Sequence, residues 1–142
     1  MSQSRSSITP AAVVLRVAIV GLALGTAYIH STLGGLLFTL NALGYVVVAV
    51  AMVIPLGIAI RFRWVVRLGL MGYAATTILG WAIQGPYYST AFVAKGIEVA
   101  LIAILAVDFV RADGNPVVKV RTELASALAR VGARRASAGA AA

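Results

Sequence analysis

The feature that most limits the fold of this chain is a succession of four apolar runs, Ala11 to His30, Leu36 to Ile60, Trp64 to Gln84 and Ala91 to Val110, separated by short turns. A helix needs about 20 predominantly apolar residues to cross a bilayer, and each run supplies that length. Charged residues make up only 11% of the chain. With a mean hydropathy of +0.98, a soluble fold would leave large apolar patches in water. The expected fold is all-α, an integral membrane four-helix antiparallel bundle. Residues 11–111 form the transmembrane domain, with crossings at 11–30, 36–60, 64–84 and 91–110. Residues 1–10 form an N-terminal tail and 112–142 a basic C-terminal tail.

Local signals place the ends of these helices. Thr9 is a side-chain cap followed by Pro10, whose missing amide costs nothing at the first helical position. Arg16 lies inside the first run, so its long stem must reach back to the interface. Pro55 predicts a kink late in the second run. The cluster Arg61-Phe62-Arg63-Trp64-Val65-Val66-Arg67 has the composition of a cytoplasmic boundary, and Tyr87 and Tyr88 after Gly85-Pro86 have that of an interfacial turn. Arg111 and Asp113-Gly114-Asn115-Pro116 end the fourth run.

The cations set the expected orientation. Arg5, Arg16, Arg61, Arg63, Arg67, Arg111, Lys119, Arg121, Arg130, Arg134 and Arg135 fall on one side and Lys95 alone on the other, so both termini are expected in the cytoplasm, at the plasma membrane of a prokaryote. The net charge of +8 sits at the ends of apolar runs instead of on a soluble stripe, which excludes a nucleic-acid partner. An alternative for the N-terminus is a secretory signal peptide, but the run is longer than a typical signal core and no clear Ala-x-Ala site follows. In the tail, Val117, Val120, Leu124, Leu128 and Val131 recur at helical spacing among Lys119, Arg121 and Arg130. This predicts a short amphipathic helix on an anionic leaflet or a solvated tail, with disorder from Gly132 onward.

Few strongly polar groups interrupt the runs: His30, Asn41, Gln84, Lys95, Glu98 and Asp108. His30 and Gln84 close the outer ends of their helices, while Asn41, Lys95 and Glu98 lie about four to seven residues below the outer ends of theirs. Lys95 and Glu98 share a helix face and can neutralise one another, with Asn41 a candidate neighbour. Tyr73, Thr77 and Gly80 lead up to Gln84, and Thr26 leads to His30. With Tyr45, these residues define either an outer polar pocket, with Glu98 and His30 exchanging protons and Lys95 holding an anion, or an interhelical hydrogen-bond cluster. Between Ala100 and Val107, and between Tyr45 and Ile60, almost nothing is polar, which predicts a dry inner gate. Asp108 is expected to pair at the inner interface with Arg111 or another arginine. Gly21 and Gly25, and Gly69 and Gly72, are expected helix-packing positions.

A single histidine and no cysteine exclude a bis-histidine haem or a conventional zinc site of the chain's own, so neither a cofactor nor a metal is expected. Gly34-Gly35 has neither the spacing nor the lysine of a phosphate loop, and no Gly-x-Ser-x-Gly elbow is present. The chain is not expected to be an enzyme. The segments 34–45, from Gly34-Gly35-Leu36 through Asn41 to Tyr45, and 94–101, carrying Lys95 and Glu98, resemble motifs in a family of uncharacterised small four-helix membrane proteins of prokaryotes. The resemblance spans roughly residues 11–111 and implies fold and topology. The outline is also similar to small multidrug transporters, but those depend on a glutamate in the first helix, and none stands here.

The thin catalytic inventory and the apolar surface lead to one expectation: a non-enzymatic accessory or interaction subunit, with other membrane proteins or its own copies as partners. The alternative is a small transporter or binding protein for a proton-linked or anionic solute, using His30, Asn41, Lys95 and Glu98. A third option is a lipid or quinone-like ligand among Tyr45, Trp81, Tyr87 and Tyr88.

Overall fold

Every regular element in the computed structural model, which describes residues 9–140 and side chains to residue 134, is a helix. The expected tail up to residue 8, with Arg5, lies outside the described residues. Helix α1 (Pro10–Thr32) starts with Pro10 in its first turn and the Thr9 hydroxyl accepting from the Ala12 amide at 3.4 Å. Gly34 and Gly35, at φ of 72° and 84°, turn the chain into α2 (Leu36–Val53) through backbone angles that side-chain-bearing residues resist.

The second run does not continue to Ile60 as one helix. Pro55 lacks an amide and disfavours a helical residue before it, so α2 ends at Val53 and the chain resumes as the short α3 (Gly57–Arg61). Helix α4 (Arg63–Gln84) and helix α5 (Ser89–Asp113) follow. Helices α1, α2, α4 and α5 are each long and apolar enough to cross a membrane, which makes this a membrane protein.

The chain divides into two compact units, Met1–Asp108 and Phe109–Ala142. In the first, α1 packs along α2, and α2 against α4. The buried residues recur at helical spacing: Ile19, Ala23 and Ala27 on α1, Ala42, Tyr45, Ala49 and Met52 on α2, and Leu70 and Ala74 on α4. On α5 the buried positions Ala91, Ala94, Glu98, Leu101, Leu105 and Asp108 step by three or four, so the two acids belong to the same inward stripe as the leucines. Lipid is as apolar as a leucine core, so close van der Waals packing and interhelical hydrogen bonds must hold such helices together. The alanines on α1 and α2 permit that close approach.

Within the chain, the expected packing glycines are not at close approaches. A Cβ at Gly21, Gly69 or Gly72 would meet no other heavy atom within 4 Å, and one at Gly25 only Ile97 Cδ1 at 4.0 Å. These positions leave room inside the chain, because the turns that carry them face away from its other helices. Gly44 is the crowded one: a Cβ there would lie 2.5 Å from the Tyr73 hydroxyl oxygen.

In the second unit, Gly114 (φ 78°) ends α5 and the Asn115 side chain accepts from the amides of Val117 and Val118, at 2.9 and 3.3 Å, to start α6 (Pro116–Ala140). Val117, Leu124 and Leu128 are exposed along it, and Lys119 pairs with Glu123 at 3.0 Å. The helix runs through Gly132 to Ala140, where disorder was expected, because the alanine-rich sequence propagates it and its two glycines, Gly132 and Gly139, cost only about 1 kcal/mol each.

Gly44→Ala should destabilise the protein by about 1–3 kcal/mol, as overpacking does, whereas Gly21→Ala should leave stability unchanged or slightly raised. Reversible unfolding in mixed micelles would measure both. Equal stability of the two variants would show that α2 and α4 are not held at this distance.

Candidate functional site

Glu98 is fully buried at the middle of the first unit, and three helices supply its partners. Lys95, one turn earlier on α5, places Nζ 2.7 Å from Oε2. Thr77 of α4 donates to the same oxygen at 2.8 Å, and Thr26 of α1 donates to Oε1 at 3.2 Å. Tyr45 of α2 joins through Thr77, hydroxyl to hydroxyl at 3.1 Å. An ionised carboxylate cannot remain unpaired at this depth, and here all four long helices contribute to its satisfaction.

His30 completes the group. Its Nδ1 is 2.8 Å from the Thr26 carbonyl oxygen, which can only accept, so that nitrogen carries a proton. Nε2 lies 3.8 Å from Glu98 Oε1.

Above this network is a cavity of about 520 Å³, within the size range of small-molecule sites. His30, Asn41, Thr77, Gln84 and Lys95 supply its polar lining, and Phe38, Trp81 and Tyr88 are among its aromatic walls. Lys95 donates to Glu98 and, at 3.3 Å, to the Thr77 carbonyl. An ammonium has three N–H groups, so one is left for an occupant.

The structure thus gathers His30, Asn41, Gln84 and Lys95 around one cavity, with Glu98 and Tyr45 below it. Asn41 shares the cavity lining with Lys95, and it accepts hydrogen bonds from Tyr73. Its side-chain oxygen accepts from the Tyr73 hydroxyl, because Asn41 faces α4 one turn from Gly44, where Tyr73 reaches across. Tyr87 turns back on its own loop, donating to the Ala82 carbonyl at 2.9 Å, and Trp81 donates to the Pro86 carbonyl at 2.7 Å.

Ten residues from Thr77 on α4 and from Glu98 on α5, about 15 Å along each axis, Arg67 Nε meets Asp108 Oδ2 at 2.6 Å, both groups buried. Arg111, the expected nearby partner of Asp108, is exposed. An interhelical pair removes both charges from lipid, which a pair on the helix surface cannot do. Sequence reasoning placed Arg67 in a boundary loop. Its spacing with Leu70, Ala74 and Thr77 was the signal that it belongs to the inward stripe of α4. Leu70, Leu101, Leu105 and Met52, all fully buried, fill the space between the two polar levels. Comparison of the chain with protein-family models, with curated proteins and with solved structures gives no match.

Removing one member of a buried pair typically costs about 3–5 kcal/mol, while replacing both by apolar groups is often tolerated. Lys95→Met should therefore be strongly destabilised and Lys95→Met with Glu98→Leu should recover at least half of the loss, measured by unfolding in micelles. A single variant as stable as the parent would show that the pair does not contribute to holding the helices.

Proposed function

We propose that this protein binds a small solute carrying a hydrogen-bond-accepting or anionic head and an apolar body, in the cavity above Lys95 and Glu98, and that binding is linked to proton uptake. The observation that carries this reading is the third N–H of Lys95 at a cavity whose floor is otherwise a neutral, fully satisfied pair. A carboxylate or phosphate head on Lys95 would add a negative charge beside the buried Glu98 carboxylate. A proton entering between His30 Nε2 and Glu98 Oε1, 3.8 Å apart, offsets that charge. The aromatic walls receive the apolar body. The buried leucines beyond Glu98 favour binding over an open channel.

Topology belongs to the same proposal. The pairs Thr77–Glu98 and Arg67–Asp108 support antiparallel α4 and α5, and the excess of cations at one end supports both termini in the cytoplasm of a prokaryotic cell, with the cavity facing outward. The resemblance to small four-helix prokaryotic membrane proteins fits this arrangement. The open faces at Gly21, Gly69 and Gly72 favour a second reading, an interaction subunit that docks on another membrane protein or on its own copies through these turns.

Trp81 lines the cavity and reports occupancy. Benzoate, hexanoate and phenyl phosphate, titrated into the purified Trp64→Phe protein in micelles, should quench Trp81 saturably, more tightly as pH falls, and benzamide should show no pH dependence. Lys95→Met with Glu98→Leu, the double variant expected to keep its fold, should lose the anion response. If no anion in this set gives Lys95-dependent saturation, the solute-binding reading fails. A stoichiometric larger partner in the native particle, lost with Gly21→Leu or Gly69→Leu, would establish the second reading.

A further inference from the structure

We infer that the end of the first unit remote from the cavity holds an anionic phospholipid, its phosphate between Arg16 of α1 and Arg63 of α4 and one acyl chain in the groove beside Arg16. The inference is independent of the solute-binding proposal. Arg63 stands at the first residue of α4, where one of its terminal nitrogens lies 3.5 Å from the Ile54 carbonyl that Pro55 leaves at the end of α2. Arg16 and Arg67 are close enough to Arg63 to interact electrostatically. Arg16 starts six residues, or about 9 Å, inside α1, so its side chain must extend towards this end of the unit to leave hydrocarbon.

The three arginines are not equally satisfied. Arg67 is bound to Asp108, whereas Nε of Arg16 and Nε of Arg63 are buried without a hydrogen-bond partner among the described residues. A buried donor left unmade is costly, and two like charges within electrostatic range repel unless an anion lies between them. A phosphodiester supplies one negative charge and several acceptor oxygens in the geometry a guanidinium matches. The groove of about 250 Å³ between α1 and the end of α2 is lined by Val13, Val17, Val20 and Val53 with Arg16 at its rim, so apolar chain and charged head meet the protein side by side. A zwitterionic choline head would bring its own cation towards these arginines, which favours a lipid with net negative charge.

The test is retention of lipid by the purified full-length protein in micelles, read by native mass spectrometry with phosphatidylglycerol, phosphatidylcholine of the same acyl chains, and soluble glycerol phosphate. Phosphatidylglycerol should be retained selectively at one per chain. Arg16→Gln and Arg63→Gln should each weaken retention about fivefold, as the loss of one interfacial cation does. Val17→Trp fills the groove at an exposed position without changing charge, and should also weaken it. Equal retention of both lipids, or arginine and Val17 variants that behave as the parent, would overturn the site. Competition by glycerol phosphate as strong as by the lipid would overturn the lipid as its occupant. If an arginine variant fails to fold, Val17→Trp with the two-lipid comparison decides the question.

Discussion

The rest of the structure depends on the need to satisfy one carboxylate where there is no water. Glu98 is fully buried on a helix apolar enough to cross a membrane, and its oxygens take hydrogen bonds from Thr26, Thr77 and Lys95. These donors come from α1, α4 and α5, with α2 tied in through Tyr45. Between helices in lipid, apolar contact distinguishes one rotation of a helix from another only weakly, since leucine packs as well against lipid as against leucine. A buried acid with directional partners discriminates strongly, because a rotated helix would leave it unpaired. Glu98 thus sets the rotation of α5 and, through the two threonines, that of α1 and α4.

The Arg67–Asp108 pair repeats the device at the far end of the same helices. Two polar levels with a wholly apolar layer of Met52, Leu70, Leu101 and Leu105 between them fix α4 against α5 in register as well as rotation. The arrangement also separates the possible activities of the molecule. Space and polar groups open to a ligand lie beside Lys95, while the Arg67 end offers cations and a shallow apolar groove. The buried side chains described between them, Met52, Leu70, Leu101 and Leu105, carry no hydrogen-bonding group.

Much of the site could be read from the residues themselves. Lys95 and Glu98, three apart in an apolar run, had to pair, and the threonine, tyrosine and histidine positions at helical spacing led to the same region. What could not be read was who faces whom. Asn41 had the right depth to reach the cavity it shares with Lys95, but that its hydrogen-bond partner is Tyr73 depends on direction around the helix, which depth does not fix. Asp108 had a local partner available in Arg111, and the interhelical partner Arg67 took its place. The small-residue spacings of Gly21 and Gly25 and of Gly69 and Gly72 occur on faces open in this chain, while Gly44, which follows no such pattern, lies against Tyr73.

By itself the sequence determined the number of membrane-length helices, the caps and breaks that bound them, and the asymmetry of charge along the chain. Each is a local or compositional property: apolar length, an absent proline amide, a count of cations. Only the tertiary structure decided which buried groups are partners, that Pro55 divides the second run outright, and that the polar residues at one end surround a cavity instead of closing on one another. Those outcomes depend on the relative rotation and spacing of four helices. Many rotations are nearly equivalent for apolar side chains, and the few buried hydrogen bonds and ion pairs select one of them.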